Sequence, residues 1–69
     1  MIKLKCINQQ HADNAKLEFE LLDRKVVAYG KTVIASGEMD LDAEMVRIRA
    51  LACVGSVTDW DREYLGGES

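Results

Sequence analysis

Apolar and polar residues alternate over Met1–Asn8, with Ile2, Leu4 and Cys6 on one side and Lys3 and Lys5 on the other. A period of two predicts a short strand or arm over residues 1–8 with one wet face. Asn8–Ala12 then reads as a polar connector. From residue 13 the period changes. Ala15, Phe19, Leu22, Val26, Tyr29 and Val33 step by 4, 3, 4, 3 and 4 residues, a heptad seam that predicts one helix over 13–36. Asp13 or Asn14 can cap its start, Lys16–Glu20 and Glu20–Arg24 supply i,i+4 charge pairs, and Ser36-Gly37 offers a stop.

The same residues support a second reading. Leu17, Phe19 and Leu21 alternate with Lys16, Glu18 and Glu20, while Val26–Tyr29 and Thr32–Ala35 are rich in β-formers. Gly30-Lys31 between them fits a type II′ hairpin turn. Residues 1–36 then become a small β-meander packed on a helix over 41–54, an α+β arrangement.

The second half carries a matching seam. Val46, Ala50, Cys53, Val57, Trp60 and Tyr64 again step by 4, 3, 4, 3 and 4. They predict a helix over 41–64, capped by Asp40, with Asp42 and Glu44 set against the N-terminal dipole and a break near Gly55. Thr58, with Asp61 three residues on, has the spacing of a capping box that restarts a short helix. Residues 66–69 read as a frayed tail. Folding the seams together about Gly37–Asp40 gives the preferred expectation: an all-α antiparallel hairpin with a short N-terminal strand, in one domain. Each helix keeps a surplus apolar stripe, Leu17, Leu21, Ala28 and Ala35 on the first and Leu41, Met45, Ile48 and Ala52 on the second. Two helices cannot hide both sides, so the stripes predict a homodimeric four-helix bundle or a docking surface for another protein.

Composition narrows the function classes. The chain has 69 residues, 48% hydrophobic and 30% charged, with no proline, which excludes collagen-like and simple disordered classes. Little scaffold remains for a catalytic site once a core is built, so no enzyme is expected. Net charge is −3, and it is split unevenly: residues 1–35 carry six Lys and Arg against four acids, residues 36–69 three against eight. Such a balance disfavours nucleic acid and anionic membrane as general partners. Two cysteines without CxxC spacing and the absence of a signal-like apolar run place the chain in the cytoplasm as an expectation.

Motifs for chemistry fail on their own terms. An EF-hand starting at Asp40 requires glycine at 45 and glutamate at 51, where Met45 and Leu51 stand. One histidine, His11, builds no zinc site, and Gly30-Lys31-Thr32 copies only the tail of a phosphate loop. No catalytic residue, metal or cofactor is therefore expected. What remains is a small protein-interaction module, an adaptor, regulator or inhibitor acting through Leu41, Met45, Ile48, Asp59, Trp60, Asp61, Glu63 and Tyr64. Trp60 and Tyr64 would anchor a protein partner and the acids would steer it. The alternative is a dimeric DNA-binding regulator whose paired N-terminal strands present Lys3 and Lys5 to a groove. A strand followed by two helices is broadly the order of ribbon–helix–helix repressors, but helices this long and an acidic second half depart from it.

Overall fold

The computed structural model describes residues 1–65, so the tail expected at 66–69 lies outside the described residues. Strand β1 (Ile2–Lys5) is followed by helix α1 (Gln9–Leu21), the hairpin β2 (Val26–Tyr29) and β3 (Thr32–Ala35), helix α2 (Leu41–Arg49), strand β4 (Cys53–Val54) and helix α3 (Asp59–Tyr64). The four strands form one sheet in the order β2-β3-β1-β4, and every neighbouring pair is antiparallel. Through β4 this is the β-α-β-β-α-β connectivity of the split βαβ, or ferredoxin-like, arrangement, with α3 appended.

The all-α hairpin, and the four-helix bundle built on it, are therefore incorrect: the chain is α+β, with 43% of the described residues helical and 22% in strands. The predicted helix over 13–36 divides into α1, β2 and β3, and the one over 41–64 into α2, β4 and α3. The strands expected under the second reading at Val26–Tyr29 and Thr32–Ala35 are present, but residues 9–21 are helix, so there is no meander. The seam failed because β-branched Val26, Val27, Thr32, Val33 and Ile34 lose side-chain freedom in a helix and fit a pleated surface better.

Local chemistry explains each boundary. Helix α1 starts within the supposed connector, where Asn8 Oδ1 accepts the His11 amide at 2.9 Å. It ends at a Schellman turn without glycine: the Arg24 amide donates to the Phe19 carbonyl and the Asp23 amide to the Glu20 carbonyl, with Asp23 at φ 62°. Helix α2 ends the same way, with Leu51 at φ 52°, the Ala52 amide on the Arg47 carbonyl and the Leu51 amide on the Ile48 carbonyl. The break therefore comes before Gly55. Gly30, at φ 58°, is the only central turn residue in the left-handed region, as a type II′ turn requires. Asp40 does cap α2, accepting the Ala43 amide at 2.9 Å, and Thr58 and Asp61 form a reciprocal capping box on α3.

The core lies between the sheet and the α1/α2 layer. Ile2 and Leu4 from β1, Cys6 just after it, and Val33 and Ala35 from β3 meet Ala12, Ala15 and Phe19 from α1, and Ala43, Val46 and Ala50 from the α2 side. Strand alternation sends Lys3, Lys5, Val27, Tyr29 and Ile34 to the opposite face, where α3 lies. The sheet thus separates Ala15 and Phe19 of the first seam from Trp60 and Tyr64 of the second.

Candidate functional site

Two surfaces concentrate the chemistry, one on each side of the sheet. On the α3 side, Asp61 is fully buried (0% exposed) and every partner is in place. Lys3 Nζ donates to its Oδ2 at 3.0 Å, the Tyr29 hydroxyl to its Oδ1 at 2.7 Å, and the Thr58 amide and hydroxyl to Oδ2 at 2.9 and 3.1 Å. The Tyr29 hydroxyl, then the Thr58 amide and Lys3, hold the carboxyl well below the usual carboxylate range against the opposing effect of burial. The bond to Asp61 raises Lys3, while burial first and Asp61 second raise Tyr29. A buried carboxylate with four donors is a clasp that fixes α3 on the sheet. Gly55 lets the chain reach it: its amide donates to the Lys3 carbonyl at 2.7 Å, and a Cβ there would stand 3.2–3.3 Å from the stems of Lys5 and Lys3.

Above the clasp sits an aromatic cluster. Tyr29 and Tyr64 stack with centroids 4.8 Å apart, and Trp60 stands at 89° to Tyr64 with centroids 4.4 Å apart. Trp60 and Tyr64 remain 55% and 41% exposed.

On the other side, α1 and α2 bury Phe19 and Val46 among small residues and leave several large apolar side chains exposed. They turn Ala12, Ala15, Ala43 and Ala50 to the core, while Leu17, Leu21, Leu41, Met45 and Ile48 point to solvent, with Leu21 77% and Leu41 78% exposed. Between the helices runs a groove of about 300 Å³ lined by Leu21, Leu22, Met45 and Val46, with Glu18, Asp42 and Arg49 at its edges. Arg49 Nε donates to Glu18 Oε1 at 2.6 Å. Arg47 pairs with Glu44.

The residues expected to act together are thus divided. Leu41, Met45 and Ile48 are exposed on α2, whereas Trp60 and Tyr64 belong to the aromatic cluster behind the sheet. Asp59 and Glu63 face solvent, but Asp61, expected to steer a partner, is the buried centre of the clasp. Lys3 is engaged by Asp61, Lys5 is exposed, and β1 lies inside the sheet between β3 and β4, where it cannot pair with a second β1. No hydrogen bond joins His11 to Cys6 or Cys53, and both thiols are free. Among the described residues no group of three or more His, Cys, Asp or Glu is placed to hold a metal, and no helix is long and apolar enough to cross a membrane.

Sequence reasoning missed Arg24. Its guanidinium donates to the Ser36 and Glu38 carbonyls at 3.1 Å each and to Asp40 Oδ2 at 2.6 Å, and it lies 6.0 Å from the Phe19 ring centroid. It stitches the β3–α2 loop to the cap of α2. Gly37, expected to end a helix, instead makes room for it: φ is 91° and a Cβ would fall 2.4 Å from Arg24 Nη1. The sequence carries no signal for this contact, because the residues it joins are non-local and ordinary in type.

These features define a small α+β domain with an apolar helical face on one side and a clasped aromatic helix on the other. No protein-family model, curated protein or solved structure matches the chain.

Proposed function

We propose that this chain is a protein-binding module whose α1/α2 groove receives an apolar helical segment of a partner protein, flanked by lysine or arginine. The observation that carries the reading is the exposed apolar surface of these helices: Leu17, Leu21, Leu41, Met45 and Ile48 face solvent, and Leu21 and Met45 line the groove. Contiguous exposed apolar surface of this kind is costly in water unless something covers it. Helix-in-groove docking reads anchors one turn apart, which is the spacing that such a cleft accepts. Charge selects the flanks. Arg49 is paired with Glu18, while Asp42, at the groove edge, forms no ion pair. The reading places the chain in a reducing cytoplasm, in keeping with its buried and exposed free thiols.

The test uses two helical peptides that share leucines at i, i+4 and i+7 and differ only in lysine or glutamate flanks, followed by NMR on the labelled chain. The expected result is shifts confined to Leu17–Leu22 and Leu41–Arg49, tighter binding of the lysine peptide, and loss in both Leu21→Glu and Met45→Glu. Equal binding of the two peptides, or binding that survives these substitutions, overturns the reading. So does a wild-type dimer in light scattering that Met45→Glu makes monomeric, since the occupant is then a second copy.

A further inference from the structure

The aromatic cluster on α3 lies on the far side of the sheet from the groove and is not needed for it. Tyr29 covers one face of Tyr64, with 16° between the ring planes, and Trp60 stands across Tyr64 at 89°. The Tyr64 and Trp60 rings, both partly exposed, make two walls of an open corner. Glu63 supplies the third side, and among the described residues these three line a cavity of about 220 Å³. The walls are held in advance of any ligand: Asp61 fixes the Tyr29 hydroxyl, Tyr29 packs on both other rings, and Lys3 and Thr58 fix Asp61. Arg62, the sole cation of α3, has its Nη1 3.8 Å from Asp59 Oδ1.

Ring faces carry negative potential, so a corner of two rings and a carboxylate attracts a cation that also has apolar surface. A neutral apolar group gains from the rings and nothing from Glu63. An anion is repelled. A phosphocholine headgroup would bring its phosphate beside Asp59 and Glu63, whereas a lysine side chain carries no anion. Methylation keeps the ammonium charge and adds apolar contact, which suits ring faces further.

We infer that Trp60, Tyr64 and Glu63 form a binding corner for the ammonium group of a protein lysine side chain, methyl-lysine above all.

Trp60 is the single tryptophan, so its fluorescence reports the corner directly. The full chain is titrated with tetramethylammonium chloride, with sodium chloride at matched ionic strength, and with neutral tert-butanol. Two peptides follow, identical except for lysine or trimethyl-lysine. The expected result is a saturable change with tetramethylammonium alone, and tighter binding of the trimethyl-lysine peptide. Losing the Tyr64 ring in Tyr64→Leu should weaken binding by about 2–5-fold, the worth of one exposed cation–π contact. Glu63→Gln, at an exposed side chain, keeps the fold intact and should weaken tetramethylammonium and peptide alike. An equal response to tert-butanol, no saturation with tetramethylammonium, an unchanged Glu63→Gln, or tighter binding to phosphocholine vesicles than to the trimethyl-lysine peptide each overturns the inference.

Discussion

Removing one oxygen from Tyr29 tests whether the buried clasp holds α3 by charge. In Tyr29→Phe the ring stack survives and only the 2.7 Å bond to Asp61 Oδ1 is lost. A hydrogen bond to a charged group contributes about 1.5–3 kcal/mol, twice a neutral one. For a domain of this size that lowers Tm by roughly 6–24 °C at neutral pH. The pH dependence separates charge from packing. Asp61 has a folded pKa below its unfolded value of about 3.9, so its stabilisation is complete above that value and is lost as pH falls through the folded one. The Tyr29 hydroxyl is the largest cause of the lowering, so the penalty of Tyr29→Phe should be constant from about pH 5 to 8 and shrink only as pH falls through the lowered folded-state pKa of Asp61, the unfolded state being common to both chains. It falls toward the neutral-bond value of about 0.5–1.5 kcal/mol as the carboxyl protonates. Urea unfolding across a pH series measures this, with Phe19→Leu, a core change without charge, as the control whose penalty stays flat. A Tyr29→Phe penalty under about 0.5 kcal/mol at neutral pH, or one that tracks the control down the acid limb, refutes the reasoning.

Three further outcomes follow from the fold. Leu51→Gly should be more stable than Leu51→Ala by about 1 kcal/mol in chemical denaturation, because both lose the side chain and only glycine escapes the left-handed strain at φ 52°. Phe19→Ala removes the largest fully buried side chain and should cost about 3–5 kcal/mol, enough for thermal melts to show most of the chain unfolding near physiological temperature. Asp40→Ala should cost about 0.5–2 kcal/mol through loss of the α2 cap. Because the Ala43 amide and Arg24 hold the Asp40 pKa low, that penalty too is full above about pH 4 and fades on acidification, as urea titrations at two pH values can check.

What the chain determined by itself is local. The period of two marked β1, the Gly30-Lys31 pair marked the hairpin, Asp40 marked the start of α2, and Thr58 with Asp61 marked α3. Each rests on contacts within four residues, which a sequence window contains. The exposed side chains Leu41, Met45 and Ile48 were legible for the same reason, as one stripe of one helix.

Tertiary structure decided the rest. Apolar steps of four and three describe a helical seam, yet a pair of strands and a helix can fill the same positions, and only pairing with β1 selects the strands. The helices stop at Asp23 and Leu51, in left-handed backbone that neither residue advertises, because the chain must turn back to the sheet there. Asp61 looked like a surface acid, but its cation, Lys3, stands 58 residues away. A charge can be buried only where such partners meet, and that meeting is set by strand order. The same order divided each of the two apolar seams between the sides of one sheet, with Ala15, Phe19, Val33, Val46 and Ala50 in the core and Tyr29, Trp60 and Tyr64 behind it.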